Sequence, residues 1–283
     1  MRDLARIFSE LAEGLATGVS FLLLTDYDGT LTPLVGNPAE ARLSREVRDD
    51  LRVLAQSPHV RVGILSGRDL RDLRARVGIP NVVYAGCHGL EVEGAGISFR
   101  HPEAEARRPA VRALARALRV RSASIPGMRV EAKELSVAVH YRTVSPQAIN
   151  RLEREVAQAI RERWDCFTIL RGKKVIEILP RVPWNKGECA LWIRDQVLAE
   201  AHSAVRALYV GDDRTDELVF EALAGKAITV KVGSGRSPSA AAFRLSDVSD
   251  VHRLLSALAA EVSERVRAAR LRPTTRSVRR GAP

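Results

Sequence analysis

The sequence predicts an α/β fold: a parallel sheet covered by helices on both faces, with a smaller α+β unit inserted into it. Three observations carry this prediction. Short runs of consecutive apolar residues, such as Phe21 to Leu24, alternate with segments whose apolar residues recur every three to four positions, as buried strands joined by crossover helices require. Between about residues 105 and 182 the strand pattern changes to alternating polar and apolar residues, which suits an antiparallel sheet with one wetter face. The chain has 283 residues, 46% of them hydrophobic and 28% charged, a globular composition with enough apolar material for a substantial core.

The elements follow in order. A helical pattern carries Leu4, Ile7, Phe8, Leu11 and Leu15, and Val19 to Thr25 reads as a strand buried on both faces. A helix with Val47, Leu51 and Leu54 on one face, a strand from Val60 to Leu65, a helix stopping at Gly78 and a strand from Val82 to Tyr84 come next. In the middle segment, Val111 to Leu118 and Ile149 to Ile160 read as helices, the second opened by Ser145-Pro146. Arg129 to Lys133, Val137 to Arg142, Phe167 to Leu170 and Val175 to Leu179 read as strands. After Lys186 opens a helix, a strand from Ala207 to Val210, a helix from Glu217 to Leu223 and a strand from Ile228 to Val232 resume the first pattern. A last helix begins near Asp250. We therefore expect a core from two stretches, 1–104 and 183–264, an inserted unit over 105–182, and a frayed basic tail over 265–283.

Charge and cysteine content exclude several function classes. The net charge is +11, but seven arginines lie at or after Arg265 with no acid among them, and without them the balance is +4. That tail lacks interleaved aromatic residues, so neither a nucleic acid nor a membrane is expected as partner. The apolar runs are far shorter than the roughly 20 residues that cross a bilayer. Met1-Arg2-Asp3 opens no secretory pattern. Cys87, Cys166 and Cys189 are few, odd in number and scattered, without metal-ligand spacing, which fits a reducing compartment; a cytoplasmic location is expected.

The chemistry gathers at strand ends. Asp26 and Asp28 stand at the carboxyl end of the first buried strand, where open parallel sheets bind ligands, and residues two apart on extended backbone project to one side. Gly29 lets the backbone approach an anion, and Thr30 adds a hydroxyl. Taken alone, this is also the sequence of a capped turn. Ser66-Gly67-Arg68 ends the second strand with a hydroxyl and backbone N–H groups suited to a phosphate oxygen or to a helix cap. Lys186 sits at a helix start, where a positive charge is unfavourable unless an anion is bound. Gly211-Asp212-Asp213-Arg214-Thr215-Asp216 crowds three carboxylates, which repel one another unless a cation is present.

In this order the four segments resemble the signature motifs of the haloacid dehalogenase superfamily. With His88-Gly89, Val139-His140-Tyr141-Arg142 and Asn185-Lys186-Gly187 added, roughly residues 20 to 260 resemble the trehalose-6-phosphate phosphatase family. The resemblance implies a Rossmannoid parallel-sheet core with an inserted C2-type α+β cap, and the stand-alone form, with no glycosyltransferase-like region ahead of it. It implies hydrolysis of a small sugar phosphate through an aspartyl-phosphate on Asp26, with Asp28 as acid and base. Ser66 and Lys186 would compensate the phosphoryl charge. Mg²⁺ would be held by Asp26, the Asp28 carbonyl and Asp212, while Asp213 and Asp216 act through water or by orienting neighbours. Glu131, Lys133, Arg142 and Glu177 would contact the sugar. Lys173 and Lys174 are either helpers or solvated turn lysines, and His140 either a sugar contact or a structural histidine. The motifs leave open sucrose phosphate or a glycosyl-phosphoglycerate as substrate, and a non-catalytic binding protein on the same fold.

Overall fold

The structure, a computed structural model, describes residues 2–161, 166–172, 174–235 and 237–271. Helix α1 (Arg2–Ala16) leads into strand β1 (Ser20–Thr25), followed by α2 (Arg45–Gln56), β2 (Val60–Leu65), α3 (Leu70–Val77) and β3 (Val82–Gly86). A hairpin, β4 (Glu91–Gly94) and β5 (Ile97–Arg100), and a short helix α4 (Pro102–Ala106) come next. Then follow α5 (Arg108–Ser122), β6 (Arg129–Ala132), β7 (Val137–His140), α6 (Pro146–Arg161), β8 (Phe167–Gly172) and β9 (Val175–Pro180). The chain closes with α7 (Lys186–Glu200), β10 (Val205–Gly211), α8 (Arg214–Ala222), β11 (Ala227–Val232), β12 (Phe243–Leu245) and α9 (Val248–Leu271).

Eight strands form one sheet in the order β12-β11-β10-β1-β2-β3-β4-β5. The pairings from β12 to β3 are parallel, and the β4–β5 hairpin extends the edge antiparallel. Strand β1 pairs with β2 on one side and β10 on the other. The winding therefore reverses at β1, which opens a crevice beyond its carboxyl end.

Alternation along the central strands explains why both faces are dry. Phe21, Leu23, Val62, Ile64 and Leu208 pack against Ile7, Leu51, Leu73 and Leu254 from α1, α2, α3 and α9. Leu22, Leu24, Val83 and Ala207 point the other way, against Ile193 of α7 and Phe220 of α8.

The second sheet, β6-β7-β9-β8, is antiparallel throughout. Val137, Val139, Ile176 and Ile178 on one face pack on Val111, Leu118, Leu152 and Val156 of α5 and α6. Its other face carries Glu131, Ala138 and Glu177, aligned across three strands. Near its end Leu135 and Leu179 meet Cys87, Leu90 and Ala104 of the larger unit.

Several elements depart from the sequence expectation. The β4–β5 hairpin has polar residues at alternate positions and turns on Gly94, Ala95 and Gly96, all with positive φ, so no continuous apolar run marks it. Strand β12 spans three residues, too few for a periodic pattern. Strand β7 ends at His140 rather than Arg142: the Tyr141 N–H donates to the Lys174 carbonyl, and the Val144 N–H to the Tyr141 carbonyl, closing a turn (3.2 Å). Helix α9 runs to Leu271, into the segment expected to fray, with Val262 in the core and Arg265 donating to Glu261 one turn earlier (2.6 Å). Residues 272–283, with the remaining tail arginines, lie outside the described residues, as does Lys173. Among the described residues no helix is long and apolar enough to cross a membrane, and the three cysteines form no disulfide.

Candidate active site

Strand β1 ends at Thr25, and the Asp26 N–H still donates to the Val210 carbonyl of β10 (2.9 Å). The Asp26 carboxylate thus stands where two parallel strands end side by side, and it is only 6% exposed. The chain then turns sharply: Gly29 has φ +91° and its N–H donates to the Thr32 carbonyl (2.7 Å). A Cβ at Gly29 would overlap the Asp212 carboxylate, so both the dihedral and the space require glycine. The Thr30 hydroxyl is buried in this loop and has no hydrogen-bond partner among the described residues.

Lys186 is the first residue of α7 and is 2% exposed. Asn185 caps the helix, its side-chain oxygen accepting from the N–H groups of Gly187 (2.7 Å) and Glu188 (3.2 Å). At Gly187 a Cβ would overlap the Leu218 carbonyl, so α7 and α8 approach here more closely than any side chain allows. The Lys186 ammonium donates to Asp26 Oδ1 and to Asp216 Oδ1, both at 2.6 Å. Those two carboxylates are the anions that make a lysine tenable at the positive end of a helix dipole.

The acidic turn after β10 divides its carboxylates among separate tasks. Asp213 accepts from the Thr215 and Asp216 N–H groups, and Asp216 Oδ2 accepts from the Asp213 N–H (2.9 Å), a capping box that opens α8. Asp216 Oδ1, fully buried, also accepts from the Tyr209 hydroxyl (2.5 Å). Asp212 lies beside Asp26: carboxylate oxygens of Asp26, Asp212 and Asp216 all fall within 4.8 Å of one another.

Electrostatics follow from this crowding. Burial above all pushes the Asp26 carboxyl well above its usual range; Lys186 pulls it back, while Asp216, Asp212 and Asp213 push further. Burial opposes the Lys186 charge, but Asp216 and Asp26 outweigh it and hold the ammonium well above its usual value. One buried cation among an excess of carboxylates is an arrangement that a second cation would relieve. An all-oxygen set of this kind fits a hard ion such as Mg²⁺. A second group, Asp69, Cys87 and Glu91, also comes within 4.8 Å, although no cysteine has metal-ligand spacing along the chain. Burial pushes the Cys87 thiol up to about 12, so it stays neutral, and Asp69 is spent on the Arg71 and Glu134 N–H groups.

Ser66 follows β2, 2% exposed, and its hydroxyl oxygen accepts from the Arg68 N–H (3.2 Å). Arg68, to which the sequence assigns no role, has its guanidinium on both oxygens of Asp28, Nε donating to Oδ2 at 2.6 Å and Nη2 to Oδ1 at 2.7 Å. Its place two residues after a strand-end serine was the available signal. The sequence assigns no role to Tyr209, which donates to Asp216, and His88 enters there only as part of the His88-Gly89 segment of the resemblance. His88 and the preceding Cys87 both have positive φ, +57° and +48°, a strained backbone that presents the His88 ring beside Gly67.

The structure brings Glu131, Lys133 and Glu177 to the core-facing side of the smaller sheet. Glu177 accepts from Lys133 and is 2.7 Å from His88 Nε2, while Lys133 also donates to the Gly67 carbonyl (2.7 Å). Burial works against the Glu177 charge, but Lys133 and His88 hold its carboxyl well below the usual range. Glu131 is exposed and pairs with His140 Nε2 (2.7 Å). Arg142, expected on the same strand face as His140, instead lies exposed in the turn beyond β7. Lys174 sits over the Tyr141 ring, 5.9 Å from its centroid. Between the units lies a cleft of about 520 Å³, lined by His88, Trp184, Lys186 and Thr215 from the core and by Thr168 and Leu170 opposite.

The model of the trehalose-phosphatase family matches residues 24–249, which include Asp26, Ser66, Lys186 and Asp216. A trehalose-phosphate phosphatase of Mycobacterium bovis (strain BCG / Pasteur) is 34% identical over 260 residues, covering 90% of this chain. The chain spans 65% of that relative's length. Among solved structures, the C-terminal domain of a Candida albicans trehalose-6-phosphate phosphatase superposes with a TM-score of 0.72 at 25% identity, covering 89% of this chain and 96% of that one. A haloacid dehalogenase-like hydrolase from Bacteroides thetaiotaomicron, 14% identical, shares the fold with a TM-score of 0.56 over 87% of this chain and 99% of its own. With the family model spanning most of its length and every strand end that carries a carboxylate, this chain belongs to the trehalose-phosphatase family.

Proposed function

We propose that the protein hydrolyses trehalose 6-phosphate to trehalose and phosphate. The observation that carries this reading is the Asp26 carboxylate, buried at the sheet's switch point and bonded to Lys186, within a stretch that matches the trehalose-phosphatase family throughout. Relatives named trehalose-phosphate phosphatase supply the substrate.

Asp26 attacks phosphorus, the bond to the sugar oxygen breaks, and an aspartyl-phosphate forms. Asp28 gives its proton to the departing sugar oxygen and later takes one from the water that cleaves the intermediate. Lys186 and the Ser66 hydroxyl hold the phosphoryl oxygens, the lysine exchanging part of its hold on Asp26 for the incoming anion. Asp26, the Asp28 carbonyl and Asp212 would hold Mg²⁺, with Asp213 and Asp216 fixing the turn behind them; the ion, when bound, offsets the negative charge that carboxylates and phosphate bring together. Glu131, Lys133, Arg142 and Glu177 are proposed to meet the sugar. Glu131 and Arg142 are exposed, and Glu131, Lys133 and Glu177 would exchange their present bonds for bonds to the sugar. A cytoplasmic location is proposed from the scattered thiols, which suit a reducing compartment.

Phosphate release from trehalose 6-phosphate, sucrose 6-phosphate and a glucosyl-phosphoglycerate, each with Mg²⁺, tests the reading. The expected result is a kcat/KM for trehalose 6-phosphate at least about a hundredfold above the others, the discrimination that hydroxyl-recognising sites reach readily. A preference for either rival would replace the substrate, and no phosphate from any of them would end the enzymatic reading.

A further inference from the structure

We infer that Trp184 is a sugar-binding platform: a pyranose ring of the substrate lies against its indole while the phosphate meets Lys186. The inference rests on the reading of the protein as a sugar-phosphate phosphatase, and it adds a residue of the core to the cap residues proposed to meet the sugar. Trp184 and Lys186 flank Asn185, whose backbone is extended (φ −150°, ψ −176°). Residues two apart on extended backbone project to one side, and both side chains line the same cleft. Lys186 reaches Asp26 Oδ1 (2.6 Å), so an ester whose phosphorus stands at Asp26 carries its sugar into the space that Trp184 borders.

What Trp184 offers to that space is hydrocarbon and π surface alone. Its one polar group is already spent: Nε1 donates to the Gly89 carbonyl (2.8 Å). The Phe99 ring lies with its centre 4.8 Å from that of Trp184 and the planes inclined at 31°, an offset stack. His101 meets the same indole at 5.7 Å and 57°, and Trp192 of α7 continues the stack beyond Phe99 at 4.9 Å. The indole is therefore half-buried and clamped by the β4–β5 hairpin and the Gly89 turn, with its remaining surface on the cleft. A side chain held this way loses little freedom when a ligand settles on it. Leu90, Leu170, Val182 and Leu218 make the neighbouring walls apolar as well.

An apolar wall suits a pyranose because that ring wears its hydroxyls at the rim and its C–H bonds on its faces. The slightly positive hydrogens of one face are drawn to the negative face of an aromatic ring, and the rim hydroxyls stay free for polar partners across the cleft. Such a contact touches no reacting atom and is as strong before the transition state as in it. Losing it should therefore raise KM and leave kcat unchanged. A tryptophan that only props the start of α7 behaves otherwise: its loss displaces Lys186, which weakens phosphate binding and slows the chemistry together.

The test measures kcat and KM for trehalose 6-phosphate, and the inhibition constant of inorganic phosphate, in the parent, Trp184→Leu and Trp184→Phe, each with Mg²⁺. Both substitutions remove the bond to Gly89, and only phenylalanine keeps an aromatic face. We expect Trp184→Leu to raise KM about tenfold with kcat within about threefold of the parent, Trp184→Phe to raise KM less than about threefold, and phosphate to inhibit all three alike. An unchanged KM in Trp184→Leu, the same KM in both variants, a kcat lowered about tenfold, or a phosphate constant that rises together with KM overturns the inference. Should Trp184→Leu fail to fold, as a thermal melt would show, fluorescence decides. Trehalose titrated into the parent should change its tryptophan emission, and the change should be lost in Trp184→Phe; no change in the parent, or the same change in the variant, overturns the inference. Phosphate release by the parent from the three sugar phosphates named above separates the two levels. If one of the rival esters is preferred, the choice of trehalose 6-phosphate falls and the same KM comparison on the preferred ester decides the role of Trp184. If the parent hydrolyses none of them, the enzymatic reading falls and takes this inference with it.

Discussion

Two buried lysines, Lys186 in the larger unit and Lys133 in the smaller, have surroundings that are opposite in balance. Lys186 bonds Asp26 and Asp216, with Asp212 and Asp213 close by, so the cluster holds more carboxylate than cation. Lys133 meets Glu177, which also has His88, so there one carboxylate serves two partners. Burial pushes both acids up; with more carboxylates around it the Asp26 carboxyl stays well above its usual range, while Lys133 and His88 hold the Glu177 carboxyl well below. A site short of positive charge is arranged to receive more of it, while a satisfied one is arranged to stay as it is. The first balance suits the proposed reacting centre and the second a contact that joins two units.

The largest effect should come from Asp26→Asn. An amide cannot attack phosphorus, so turnover should fall by roughly 10⁴-fold or more while the far-ultraviolet circular dichroism stays that of the parent. Turnover within tenfold of the parent would remove the covalent mechanism. Next comes the charge deficit itself: activity should vanish in EDTA and return with Mg²⁺, and Zn²⁺ should restore it poorly because it prefers nitrogen and sulfur ligands. Full activity in EDTA would mean that the carboxylate cluster is balanced by Lys186 alone.

The cap contact should behave differently. Glu177→Gln removes the carboxylate that Lys133 bonds, leaving its buried ammonium with the Gly67 carbonyl and the nearby Glu131 charge, and should cost roughly 3 kcal/mol of stability in a denaturant titration. If Glu177 also holds the sugar, the same variant lowers kcat/KM for trehalose 6-phosphate more than for p-nitrophenyl phosphate; an unchanged ratio leaves it a purely structural contact.

The smallest effect is in pH. Glu177 has a folded value depressed below the ordinary 4.5, so its contribution is full above that value and is lost as pH falls through the depressed one. The stability difference between parent and Glu177→Gln should therefore be flat from pH 5 to 8 and shrink progressively as pH falls below about 4.5. A difference that instead disappears between pH 6 and 7 would contradict the satisfied cluster.

Local chemistry determined much of this from the sequence alone. Apolar runs such as Phe21 to Leu24 specify strands because burial on both faces leaves no room for polar residues. Asp26, Ser66, Lys186 and Asp212 were readable because each follows a strand or opens a helix, and parallel strands bring their carboxyl ends together wherever the order reverses. What was not readable is what pairs with what across distance. The bonds of Arg68 to Asp28 and of His88 to Glu177 join residues 40 and 89 positions apart, and the Lys133–Glu177 pair residues 44 apart. Nothing in the spacing of those residues encodes the packing angle that makes them meet. Arg142 slipped off its strand because a turn bond at Tyr141 competes with sheet pairing, and the β4–β5 hairpin stayed hidden because an edge strand needs neither an apolar run nor a dry second face. Sequence determined which groups could react, since that depends on a few neighbouring atoms. Only the tertiary structure decided which of them are already bonded to one another, because that depends on the docking of two sheets.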